Sequence, residues 1–186
     1  MEDLKKMSLK ELEDLCGDIR SEIIEVVCKN GGHLGPNLGV VELSTALHYV
    51  YNSPVDKIVW DVGHQSYVHK MLTGRRDRFH TIRKRGGLGP FTDPNESIHD
   101  QFISGHAGSA LSVSAGLAAA NPDKNVAVVI GDASFANGTT LEALNDINGK
   151  LKNLTIIIND NEMSIGENVG AISGILNKVI NSSFYL

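Results

Sequence analysis

The sequence is short of several things. Two cysteines, Cys16 and Cys28, among 186 residues exclude a disulfide framework and a cysteine zinc site; both fall in a helical pattern and read as small core residues. No apolar run nears the roughly 20 residues of a membrane span. The opening Met-Glu-Asp-Leu-Lys-Lys leads into an amphipathic segment with no signal-peptide core, so the expectation is a cytoplasmic chain with no membrane partner. Basic charge is not in excess: 17 Lys and Arg against 22 Asp and Glu leave −5. That argues against a nucleic-acid partner held by a general basic field. Only 5% of residues are aromatic, and no internal repeat or low-complexity tract is present.

What is present is aliphatic patterning punctuated by 19 glycines. Ser8-Leu9-Lys10-Glu11 is a capping box. Leu12, Leu15, Ile19, Ile23 and Val26 then recur at helical spacing up to about Lys29, where Asn30-Gly31-Gly32 stops the helix. A second helix is expected from Gly39 to Tyr51. Lys57–Trp60, Val126–Ile130 and Leu154–Ile158 read as buried strands. The small-residue stretch 104–120 and the segment carrying Leu141, Leu144 and Ile147 read as helices. Strand, helix, strand without hairpin signals is a βαβ unit, so the fold class is α/β, a parallel sheet with helices on both faces. The basic stretch from His69 to Arg85 reads first as a solvated helix face, with a surface for anionic groups as the alternative. Segment 86–97 has no periodicity and reads as a mobile loop. Among the histidines, His48 and His80 fall in helical patterns and His69 reads as surface; all three are expected to be structural, and His99 gives no signal.

In open parallel sheets ligands bind outside the carboxyl ends of strands. Two such ends carry oxygen ligands here: Gly131-Asp132-Ala133-Ser134 and Asn159-Asp160-Asn161-Glu162-Met163. A carboxylate, a carboxamide and exposed carbonyls form a hard-oxygen set that suits Mg²⁺. The alternative is that Asp132 and Asn161 only cap turns.

These residues stand among more specific words. Gly31-Gly32-His33-Leu34-Gly35, Leu38–Leu43, Trp60-Asp61-Val62-Gly63-His64-Gln65, Thr73-Gly74-Arg75 and Asn159–Ile165 follow one another in order. Together they resemble the N-terminal part of the 1-deoxy-D-xylulose-5-phosphate synthases, transketolase-like enzymes dependent on thiamine diphosphate. The resemblance runs from about Leu4 to Ile172. It implies a diphosphate-binding domain, with Mg²⁺ held by Asp132, Asn161 and the carbonyl of Met163. It also implies cofactor contacts at His64, Gly105, His106, Ala107, Ala133, Ser134 and Asn161, with the helix N-terminus after the 105–107 turn favouring negative charge. His33 takes the position of a catalytic histidine that moves protons or polarises the substrate carbonyl. The implied substrates are pyruvate and D-glyceraldehyde 3-phosphate, joined with loss of CO₂ into a precursor of isoprenoids and thiamine.

Two departures stand out. Ala133 replaces the third glycine of the cofactor motif, where a methyl fits only if φ is negative. The turn Gly105-His106-Ala107-Gly108 lacks the serine that often follows the histidine. Three strands are few for a doubly wound domain, so residues 1–186 are expected to form one incomplete domain. It would require C-terminal domains in cis or in trans, and the complete protein would be a homodimer. The glutamate that activates the cofactor comes from the next domain in the resembled family, so the chain alone is expected to be inactive. The rival readings are the N-terminal subunit of a split transketolase and a non-catalytic fragment that keeps the fold.

Overall fold

The computed structural model describes residues 3–147, 149–160, 170–171, 174–175 and 178. Asn161 and Met163 lie outside the described residues. Helix α1 (Leu9–Asn30) begins at the expected capping box, with the Ser8 side chain and Glu11 bonded reciprocally, and ends at Gly31, φ 72°. A short helix α2 (Leu34–Leu38) precedes α3 (Val41–Val50). The second helix is thus shorter than the expected Gly39–Tyr51, and α2 is an addition.

Three strands, β1 (Lys57–Trp60), β2 (Val126–Gly131) and β3 (Leu154–Asn159), form a parallel sheet in the order β1-β2-β3. The chain between β1 and β2 contains α4 (Tyr67–Lys70) and α5 (Ala110–Ala120); α6 (Asp132–Phe135) and α7 (Gly138–Ile147) connect β2 to β3. Alternation along β2 sets the layers. Val126, Val128 and Ile130 pack with Val59 against Leu111 and Ala118 of α5 and Ala143 of α7. Ala127 and Val129 pack with Ile58 and Trp60 against Leu47 of α3. Both faces are apolar and covered by helices, as a parallel sheet requires. A further core joins Ile19, Ile23 and Val26 of α1 to Tyr67, Phe79 and Leu88. No helix among the described residues is long and apolar enough to cross a membrane.

Three expectations need correction. Cys16 is buried but Cys28 is exposed, because it lies on the opposite side of α1 from the Ile19-Ile23-Val26 face. The stretch from His69 to Arg85 is not a solvated face throughout: His69, Lys70 and Arg75 are buried. Arg75 grips Asp100 with both guanidinium nitrogens, each at 2.8 Å, and donates to Glu96 at 2.8 Å; Lys70 pairs with Glu96. His69 Nε2 lies 3.0 Å from Asp100, and His48 Nε2 lies 2.9 Å from His69 Nδ1. Of the carboxylates that make this burial tolerable, Glu96 comes from the loop expected to be mobile and Asp100 from just beyond it. That loop is tied down, since Glu96 also accepts from Gly89 N–H at 2.8 Å and Asp100 from Asp93 N–H at 2.9 Å. His48 is structural as expected; His69 is structural but not at the surface.

Candidate functional site

All the described candidate residues cluster at or beyond the carboxyl ends of the strands or in the glycine turns beside them. After β1 the chain turns at Val62 (φ 60°) and Gly63 (φ 82°). A left-handed φ is unfavourable for a β-branched residue and marks a conformation held by its surroundings. The turn delivers His64. His33 comes from the Gly31-Gly32 turn after α1, and the two imidazoles meet edge-to-face with centroids 5.5 Å apart. Asn37, wholly buried, braces them: its amide donates to the carbonyls of His33 (2.6 Å) and His64 (2.8 Å), and its oxygen accepts from Tyr67 N–H at 2.9 Å.

Four residues join this site without having been expected there. Besides Asn37, the Tyr67 hydroxyl is 3.3 Å from His33 Nδ1, and the Phe91 ring centroid is 5.8 Å from that of His33. Arg83, exposed and at φ 64°, brings its charge close to His33. Burial, and then the Arg83 guanidinium, hold the His33 imidazole below its ordinary value, so it is neutral at pH 7. Burial and His33 do the same to His64. His33 is therefore expected to titrate below 6.5, and Arg83→Gln to move its midpoint up. NMR titration of the imidazole checks this; a midpoint unmoved by the substitution would remove Arg83 from the electrostatics of the site.

The Gly105–Gly108 turn stands before α5, with Gly105 at φ 135° and Gly108 at φ 89°. His106 and Ala107 are exposed. At the end of β2, Asp132 opens the one-turn helix α6 and is buried, followed by exposed Ala133 and buried Ser134. Ala133 sits inside that helical turn and is not among the residues with positive φ. The motif's missing glycine therefore costs no backbone strain here.

Gly131 pairs with Asn159, so Asp132 and Asp160 are the first residues beyond two adjacent strand ends. Burial and the neighbouring Asp160 raise the Asp132 carboxyl above its ordinary value. Two carboxyls crowded at a strand edge, with carboxamide and carbonyl groups next in sequence, fit a small hard divalent cation, which would relieve their repulsion. Among the described residues no three His, Cys, Asp or Glu side chains gather as a metal site; the expected set has only one such side chain, Asp132, and its other two members lie outside them.

The sequence model of the 1-deoxy-D-xylulose-5-phosphate synthase family matches residues 1–186. A synthase of that name from Fusobacterium nucleatum is 60% identical over 177 residues, covering 95% of this chain and 30% of the relative. Those from Caldanaerobacter subterraneus and Listeria monocytogenes are 53% and 51% identical, each over 98% of this chain and 30% of the relative. The chain thus spans about 30% of the length of the curated relatives it matches. With residues 1–186 all matched by the family's sequence model, the chain belongs to the 1-deoxy-D-xylulose-5-phosphate synthase family.

Proposed function

We propose that this chain is the diphosphate-binding domain, over residues 1–186, of a cytoplasmic transferase that depends on thiamine diphosphate and Mg²⁺. The whole protein condenses pyruvate with D-glyceraldehyde 3-phosphate to 1-deoxy-D-xylulose 5-phosphate and CO₂, feeding isoprenoid and thiamine synthesis. The observation that carries the reading is the placement beyond the carboxyl ends of the strands of a histidine pair and a crowded carboxyl pair, His33 with His64 and Asp132 with Asp160. The relatives' names favour the synthase over a split transketolase.

Asp132, Asn161 and the Met163 carbonyl hold the metal. His64, Gly105, His106, Ala107, Ala133, Ser134 and Asn161 contact the cofactor, whose bound form supplies the nucleophilic carbon and the electron sink for decarboxylation. His33 is the catalytic residue of this domain. Neutral at pH 7, it can take a proton or, in the tautomer protonated towards the substrate, polarise a carbonyl. Tyr67 and Asn37 fix its ring and backbone, and burial, with the Arg83 guanidinium, keeps it uncharged. Phe91, half-buried, packs its ring beside that of His33. The activating glutamate and the wall around the pyrimidine come from C-terminal domains, and the complete protein works as a homodimer.

The complete protein is expected to form 1-deoxy-D-xylulose 5-phosphate only with Mg²⁺ and thiamine diphosphate present. Residues 1–186 alone form none, even with both saturating. Coupled assay of pyruvate and glyceraldehyde 3-phosphate consumption measures both. Product from the chain alone, or a complete protein indifferent to the cofactor, would overturn the reading.

A further inference from the structure

Three segments assigned to the cofactor meet around Gly108. The carboxylate of Asp61, at the end of β1 and 1% exposed, accepts from Gly108 N–H at 3.0 and 3.1 Å and from Ala110 N–H at 3.1 Å. The Ala110 N–H is one of those a helix leaves unpaired at its N-terminus, and Gly108 stands just before the cap residue Ser109. The first amide of α5 and the Gly108 amide before it are thus occupied by an anion of the protein's own, which leaves Gly105–Ala107 as the part of this turn proposed to meet the cofactor.

On the other side of Gly108, the hydroxyl of Thr140, also 1% exposed, lies 2.9 Å from the Ser134 carbonyl and 3.4 Å from the Gly108 carbonyl. Gly108 thus faces Asp61 with its amide and Thr140 with its carbonyl. At φ 89° a Cβ there would stand 2.8 Å from Asn137 Cγ. The main chain of Asp61 also reaches the His64 turn, accepting from Gly63 N–H at 2.6 Å and from the Gln65 amide at 3.0 Å.

We propose that Asp61 and Thr140 are positioning residues for diphosphate recognition. Together they form a buried clamp through Gly108 that fixes the separation of the His64, Gly105–Ala107 and Ala133–Ser134 turns. Neither touches the cofactor. Both act by holding backbone that does, so their effect falls on affinity before chemistry. The inference rests on the proposed cofactor site.

The test uses the complete protein with three substitutions. Thr140→Val keeps the shape and removes the hydroxyl; it is expected to weaken Mg²⁺-dependent thiamine diphosphate binding about 10-fold by calorimetry, with kcat at saturating cofactor near wild type. Thr140→Ser restores the affinity. Asp61→Asn, which removes the charge from the acceptor and sets an NH₂ group against the Gly108 N–H, weakens binding about 10-fold. It also speeds hydrogen exchange at the Gly108 and Ala110 amides of the cofactor-free protein. Wild-type affinity in Thr140→Val and Asp61→Asn, or a serine variant as weak as the valine one, would overturn the clamp. Should the wild-type protein bind no thiamine diphosphate, the proposed function falls; amide exchange then decides the clamp alone, faster exchange in Asp61→Asn upholding it and unchanged exchange refuting it.

Discussion

Asp132→Asn in the complete protein is expected to lower Mg²⁺-dependent affinity for thiamine diphosphate by at least about 100-fold, since even groups that only orient metal ligands are worth 10–100-fold. The same substitution should make the cofactor-free protein more stable at pH 7. The sign follows from the direction of the Asp132 shift. A carboxyl whose folded value is raised favours the folded state below its unfolded value of 3.8 and loses that contribution as pH rises through the folded value. Ionising Asp132, buried and beside Asp160, thus costs the fold, and a bound cation removes that cost. Calorimetry with and without Mg²⁺, beside melting curves of the cofactor-free variant, measures both effects. Unchanged cofactor affinity would refute the metal assignment. Lost affinity with lost apo stability would instead mark Asp132 as a structural cap.

Asp100→Ala should be the most destabilising single change outside the site. It strips a buried guanidinium of its bidentate partner and leaves the side chain of His69 without its carboxylate. Removing one member of a buried pair costs about 3–5 kcal/mol, a large share of the roughly 5–15 kcal/mol that holds an ordinary domain folded. The melting temperature should fall on the order of 10 °C. The pH response separates the contributions. Burial lowers His48 and His69, so the unfolded state takes up protons that the folded state refuses, and stability falls once pH drops below the ordinary value of 6.5. Burial works against the Asp100 carboxylate, but hydrogen bonds from His69 and Arg75 outweigh it and hold the group low. Its contribution is complete above 3.8 and is lost as pH falls below that value. Melting curves from pH 7 to 3 should show both losses in the wild type and a smaller second loss in the variant, where only the other lowered carboxylates remain. A variant as stable as wild type would mean that loop 89–105 is held by other contacts.

Local signals made much of this fold legible. The capping box at Ser8 and Glu11 lies within one turn, and the Val126–Ile130 run announces a strand buried on both faces. Helix α2 was not legible because Gly35 and Pro36 fall inside a five-residue element, although proline in a first turn loses no hydrogen bond that the helix would make. The burial of Arg75 was hidden for another reason. Its partners Glu96 and Asp100 lie 21 and 25 residues along the chain, beyond any periodic pattern, so charge alone suggested solvent. Histidines flanked by glycine drew attention to His33 and His64, but Asn37 and Tyr67 carry no such flag. Each lies within four residues of one histidine, and only the fold brings Asn37 to His64 and Tyr67 to His33. Asp61 stood in plain view within a family word, and its role became visible only with the amides of Gly108 and Ala110.

The buried line from Asp100 through His69 to His48 also has a direction. An ionised carboxylate can only accept, so His69 must carry its proton on Nε2 and present a bare Nδ1. His48 must then donate from its own Nε2, which strips its Nδ1 of hydrogen, and that nitrogen has no partner among the described residues. Two tautomers are thus dictated by one charge in a loop more than 50 residues from His48 in sequence. The imidazoles cannot exchange donor and acceptor roles without an added proton, so the line is a hydrogen-bond chain polarised one way, ending in a lone pair inside the protein.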